Sequence, residues 1–260
     1  ELYTVDFTEE GGTVGIKAGA WSEKKVDYTP LGSIMRDSCA GNDPGAFEFS
    51  EDAPMAIGLN IDFVNEFLFS IWWNSALNMD IAAADLDDSE DALAGYGIKA
   101  IRLNPLLPPI LSDCNEKGLL RIQLGDAEME VDFDGGLVSE PTTMKMFTSL
   151  DAGIYVQTNE ENSLSIEIQG FEKFHVDLVD AGPEWESLEA ELEAVLEAEL
   201  KVQVEALLSD ALGDFPVPSV DLTDTLPGVP EGTALQIGAT ETALSNGYLL
   251  VEGDLVDEEE

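Results

Sequence analysis

The chain has 260 residues, 54 of them Asp or Glu and 11 Lys or Arg, for a formal net charge of -43, while 44% are hydrophobic. That apolar content is ample for a core and sets the chain apart from acidic disordered polymers, which are poor in such residues. Charge of this size and sign repels phosphate backbones and anionic headgroups, which excludes nucleic acid as a partner; a solvated acidic surface suited to salty surroundings accounts for it.

Residues 1–50 combine short apolar pieces with Gly11, Gly12, Gly15 and Gly19. Leu2 to Phe7 alternates like a strand in want of a neighbour, so 1–35 are expected to be strands belonging to, or continuing from, a preceding sheet. The turn-rich stretch 36–46 (RDSCAGNDPGA) marks a boundary. With neither a start methionine nor a secretory pattern at Glu1, the chain reads as a processed product or a piece of something longer, and as one half of a longer protein or a unit that pairs with a like module.

Residues 57–81 (IGLNIDFVNEFLFSIWWNSALNMDI) are expected to form a helix too apolar for an ordinary surface and too polar for a membrane span. Ile57, Ile61, Val64, Leu68, Ile71 and Trp72 recur at helical spacing, and Phe63, Phe67, Trp73 and Leu77 widen the stripe. Asp62, Asn65, Glu66, Asn74 and Asn78 interrupt it, so the run of about 20 apolar residues that a bilayer requires is never reached. Such a helix is buried in protein or lies against something greasy that the protein holds.

Strand-like segments follow at 98–104, 119–124, 126–133, 144–157, 163–169 and 171–179, with turn chemistry at Asn115 to Gly118, Asp134 to Gly136 and Asn159 to Asn162. Alternation is clear from Glu128 to Phe133 and from Ser163 to Ile168, which predicts an antiparallel meander with one apolar face. A second helix is expected over 184–214, opening after Pro183 and meeting Gly213. Leu188, Leu192, Val195, Leu196, Leu200, Val204, Leu207 and Leu208 form its stripe, and its length would be roughly 45 Å. A coiled coil is the plainer reading, but sustained heptads with alternating charges are absent. Phe215-Pro216-Val217-Pro218 then forces an extended turn, and strands at 233–240 and 247–255 flank the hairpin signal Asn246-Gly247. Asp257 to Glu260 is a solvated acidic tail.

The order of these elements carries a resemblance: the apolar helix after Gly58, the Pro-rich connection Asn104 to Pro109, the meander, the long helix, Phe215 to Pro218, Leu226-Pro227-Gly228, and the closing strand Gly247 to Leu255. Residues 54–256 so arranged resemble the C-terminal half of the lipid-binding proteins related to bactericidal permeability-increasing protein, the tubular lipid-binding (TULIP) domains. The resemblance implies an α+β fold in which a strongly curved antiparallel sheet wraps two long helices and encloses an apolar channel for acyl chains. It implies the division into an N-terminal segment 1–50, a lipid-binding domain 51–256 and the tail. The negative charge speaks against the lipopolysaccharide-binding mode of the family's basic members.

Two long apolar stripes and a one-sided meander bury their faces together, so Phe63, Phe67, Ile71, Leu192, Leu196, Leu200 and Val204 are the expected lining of an elongated cavity. The function expected is that of a non-enzymatic lipid carrier; a structural or surface-assembly module with the same fold and a filled core uses the same residues. Cys39 and Cys114, both in turn-rich loops, suit a disulfide in an exported, extracytoplasmic protein, with free thiols as the alternative.

Catalytic patterns are missing. His175, the single histidine, alternates with Phe174 and Val176 in a strand and reads as structural. Gly95-Tyr96-Gly97-Ile98-Lys99-Ala100 matches a nucleotide-binding glycine pattern, but a strand follows where a helix should begin, and one His with two distant Cys cannot build a zinc site. Asp85, Asp87, Ser89 and Asp91 have the alternate spacing of a calcium loop, yet Glu90 and Tyr96 stand where the Gly and Glu of that loop belong. The run reads as a solvated acidic turn, with weak calcium binding as the alternative. A looser candidate spans Asp37 to Asp43.

Overall fold

The period-two stretches between residues 98 and 179 form one antiparallel sheet. The computed structural model describes residues 2–7, 12–26, 54–82, 95–112, 120–136, 139–159, 163–179, 190–198, 201, 205, 214–216, 220–221 and 234–256, with backbone alone for 2–7, 214–216, 220–221, most of 234–240 and 255–256. The large sheet runs in the order β10 (Asp214–Pro216), β9 (Ser163–Leu178), β8 (Thr142–Thr158), β7 (Leu120–Phe133), β5 (Ile98–Pro105), β4 (Met79–Ala82). The short β6 (Ile110–Ser112) pairs with β7 beyond the end of β5. β5 and β6 thus share one side of β7, separated by the Pro-rich connection.

Bulges bend this sheet, which is curled into a half-barrel accompanied by two helices. In β7 the buried side chains are Leu120, Ile122 and Leu124 and then Ala127, Met129, Val131 and Phe133. The parity changes because Asp126 takes φ 48° and one extra residue is inserted opposite β8. The two strands expected at 119–124 and 126–133 are therefore one strand whose apolar face is kept inward by the bulge. The same holds for 163–169 and 171–179, which join in β9 through Gly170 at φ 120°. Register shifts on either side turn Phe171 toward the core between Ile168 and Phe174.

Residues 57–81 are not a single helix. Met55–Asn60 is strand β3, paired with β13 (Tyr248–Val256), and α1 occupies Ile61–Trp73. Asn60 ends the strand and caps the helix, its side chain accepting the Asp62 N–H at 2.8 Å, with Asp62 itself complementing the helix N-terminus. At the other end Ser75 has φ 58°, and the chain leaves for β4. Period alone cannot separate a short apolar strand from a helical turn; the open backbone of β13 decides it.

β13 belongs to a second antiparallel sheet in the order β11 (Val220–Asp221), β12 (Ala234–Ser245), β13, β3. Asn246 and Gly247, both at positive φ, make the predicted tight turn between β12 and β13. The carbonyl of Gly247 accepts the N–H of Ile61, and Thr242 Oγ1 donates to the Val156 carbonyl of β8, so this sheet is tied both to α1 and to the half-barrel. β1 (Leu2–Phe7) and β2 (Gly12–Ile16) form a two-stranded sheet of their own instead of extending either larger sheet.

Gly97 has φ 79° and its backbone meets that of Gly135 and Gly136 so closely that a Cβ at Gly97 would collide with the Gly135 carbonyl. The Asp134 N–H donates to the Gly97 carbonyl at 2.8 Å. The glycine pattern at 95–100 therefore serves a close crossing of two turns, and strand β5 follows it.

Candidate functional site

One face of α1 packs into the core of the curled sheet. Ile61, Leu68 and Trp72 are fully buried, with Val64 packed against the same core. Trp72 Nε1 donates to the Pro105 carbonyl at 2.8 Å. Asn65, read from sequence as an interruption of the stripe, docks on the backbone of β6: its Nδ2 donates to the Leu111 carbonyl at 2.9 Å and its Oδ1 accepts the Leu111 N–H at 2.6 Å. A side-chain amide thus replaces a strand partner where the Pro-rich connection has broken the ladder.

At 100° per residue Phe63 and Phe67 point roughly 160° and 120° from the mean direction of Ile61, Leu68 and Trp72, whereas Ile71 lies roughly 80° from it, beside Val64. Phe63, Phe67 and Ile71 are half-buried. A further side of the helix is covered by residues 17–26, which run alongside it: Ser22 Oγ donates to the Ser70 carbonyl at 2.6 Å, and the N–H groups of Lys25 and Val26 both point to the Trp73 carbonyl.

The second helix, α2, is described at 190–198, with 201 and 205 also helical; the rest of the helix expected over 184–214 falls outside the described residues. Leu192 and Leu196 are fully buried in the core that Ile61 and Leu68 of α1 also enter, together with side chains of β5, β7, β8, β9 and β13. The structure therefore brings Leu192 and Leu196 together with the buried face of α1. Leu200 and Val204 lie outside the described residues, as do Cys39, Cys114, Asp85, Asp87, Asp91 and the stretch Asp37 to Asp43.

What the sequence did not reveal is how α2 is held. From Phe171 to Leu178, β9 has no strand on its outer side among the described residues, since β10 pairs only with Ser163 to Ser165. The Glu197 carboxylate accepts the Val176 N–H at 3.1 Å, and Glu193 accepts the Leu178 N–H at 3.2 Å. Outward N–H groups recur every second residue of a strand, roughly 6.6 Å, and carboxylates at i and i+4 recur about once per helical turn, so two glutamates match two edge donors. A sheet edge covered by charge in this way resists pairing with other chains.

His175, expected to be structural, sits at this seam. Its ring faces Glu197 at 3.1 Å and Asp177 at 3.0 Å. The hydrogen bond to the Glu197 carboxylate and then the negative charge of Asp177 raise its pKa above the ordinary value. Tyr96 adds a third tie by donating to Glu191 Oε1 at 2.9 Å, and donation to a carboxylate raises its pKa. Lys201 Nζ stands 5.4 Å from the Phe171 ring, over the doubly bulged part of β9.

The outer face of the sheet is polar. Arg102 forks onto Asp132, at 2.6 and 3.0 Å, and reaches Glu130, while Thr143 donates to Asp132. These contacts, Arg102 first, hold the Asp132 carboxyl down at about 2. Arg121 and Asp151 form a bidentate pair on adjacent strands, both largely buried. A cavity of about 240 Å³ beside β4 is lined by Asn78, Asp80, Arg102, Asn104, Glu128 and Glu130 among others, and one of about 50 Å³ lies between β8 and the β12–β13 hairpin. Neither is lined by the expected site residues.

No family model and no curated protein sequence matches this chain. Among solved structures, that of a lipopolysaccharide binding protein is similar at 14% sequence identity, with a TM-score of 0.36, over 86% of this chain and 48% of that one. The chain spans about half the length of that structure.

Proposed function

We propose that the chain is a non-enzymatic lipid-binding module of the TULIP kind, which holds acyl chains against α1 inside the half-barrel and acts outside the cytoplasm. One observation carries the reading. α1 completes its core face with Ile61, Leu68 and Trp72, yet presents further apolar side chains, Phe63, Phe67 and Ile71, that are only half-buried. Each methylene laid against them is worth about 0.8 kcal/mol, so an acyl chain is a fitting occupant. The net charge of the whole chain is -43, which favours neutral or zwitterionic lipid over lipopolysaccharide. A larger assembly, with a second half of the same kind, is part of this proposal.

The complete burial of Leu192 and Leu196 supports a second reading, in which the core is filled and the domain is a structural or surface-assembly unit. Organic extraction of natively purified protein, followed by mass spectrometry, separates the two. The lipid reading expects acyl lipid in a fixed ratio to protein, lost on Phe67→Asp; protein that carries no lipid and takes up none from vesicles leaves the filled-core module standing.

A further inference from the structure

Three of the chain's eleven basic residues, Lys17, Lys24 and Lys25, fall in one short stretch that contains a single acid, Glu23. All three lysines are exposed, and Trp21 between them is 88% exposed. Nearby, Ile16 of β2 is 52% exposed, and Phe69 of α1 stacks on Trp73 with ring centroids 5.4 Å apart. Lys24 Nζ lies 4.8 Å over the Trp73 ring.

The stretch is anchored, not a loose end. Its backbone and Ser22 hydroxyl are bonded to α1, and Val26 is buried. Trp21 is therefore held outward on a fixed support, with its ring in water. A solvent-facing indole amid lysines, on an otherwise acidic protein, has the composition of a water–lipid boundary. There the indole settles at headgroup level, while ammonium groups meet phosphates and lay their stems along apolar surface.

We infer that residues 17–26, with β2 and the C-terminal end of α1, form a docking surface for a phospholipid bilayer. Trp21 sits among the headgroups and Lys17, Lys24 and Lys25 pair with their phosphates. A second copy of this chain would also offer carboxylates to the lysines, but it would bring up 43 further net negative charges. A flat bilayer meets the patch alone, and beyond about 8 Å the rest of the protein's charge is screened at physiological salt. Glu23 within the stretch, and Glu66 beside Gly19, are acids near the patch. The docking needs no occupied interior and stands apart from acyl binding at α1.

The test is flotation of the whole chain with vesicles of phosphatidylcholine containing a minor fraction of phosphatidylglycerol. The native chain co-floats, and Trp21→Ala lowers its partition constant by about tenfold or more, since most of a large aromatic surface is lost from the contact. Replacing Lys17, Lys24 and Lys25 by Gln weakens binding by about fivefold per lysine and removes most of its dependence on salt. Thermal stability and co-purified lipid do not change in Trp21→Ala, so failure of the docking surface and failure of the acyl-binding reading are told apart. Absence of flotation by the native chain, flotation unaltered in Trp21→Ala, or a dimer that Trp21→Ala converts to monomer without vesicle binding overturns the inference.

Discussion

Leu196→Trp probes what fills the space between the sheet and the helices. Leu196 has none of its surface exposed and shares a core with Leu192, Met146, Val176 and the buried face of α1. If protein alone fills that space, the added indole volume forces neighbours off their rotamers at a cost of about 1–3 kcal/mol. For a domain of this size each kcal/mol moves the melting temperature by about 2–4 °C, so the expected fall is about 2–12 °C. If an acyl chain reaches this layer, the ring displaces lipid: the lipid-to-protein ratio of purified material drops while the melting temperature of delipidated protein changes little. Circular dichroism melts and lipid mass spectrometry on one preparation read both quantities. Leu196→Ala serves as the opposite perturbation, with an expected loss of about 2–5 kcal/mol for a cavity in packed surroundings. Leu196→Trp protein with unchanged melting and unchanged lipid would falsify the placement of this residue in the shared core.

Further outcomes follow from the hydrogen bonds. Asn65→Ala strips both partners from the Leu111 backbone, which is buried, and is expected to cost about 1–3 kcal/mol in denaturant unfolding; a loss within error would mean that β6 docks without it. Arg121→Met leaves the Asp151 carboxylate buried without its bidentate partner, and about 3–5 kcal/mol is expected, most of it recovered in the Arg121→Met/Asp151→Leu double variant. A double variant no better than the single one refutes the pairing argument. The raised pKa of His175 means that its contribution is complete below its ordinary value of 6.5 and is lost as pH rises through the raised value. The melting-temperature difference between native protein and His175→Gln is therefore largest in mild acid and shrinks in alkali; a difference independent of pH removes Glu197 and Asp177 as the cause.

Several elements were legible because their signal is local. The alternation in 126–133 and 163–168 has the period of a strand in any context, and Asn246-Gly247 favours a tight hairpin through the φ angles that it tolerates. The parity change from Leu120, Ile122 and Leu124 to Ala127 and Met129 was also visible, but it reads equally well as two strands or as one strand with a bulge. Pairing along the whole of β8 decides for the bulge. Helical period alone places Ile61, Val64, Leu68, Ile71 and Trp72 on one side, with Phe63 and Phe67 widening the stripe. Which of these residues are sealed and which are half-buried depends on β6, on residues 17–26 and on the core, all brought in from elsewhere in the chain. Met55–Asn60 became a strand because β13, far along the chain, offers an unpaired ladder. Among 54 acids nothing local marks Glu193 and Glu197; they are distinguished by facing two N–H groups of an open sheet edge. Local sequence determined the periods, turns and caps of this protein, because those depend on backbone preference and side-chain spacing. Tertiary structure decided which backbone groups lacked partners and which side chains met them, because that requirement is satisfied only once distant segments are packed together.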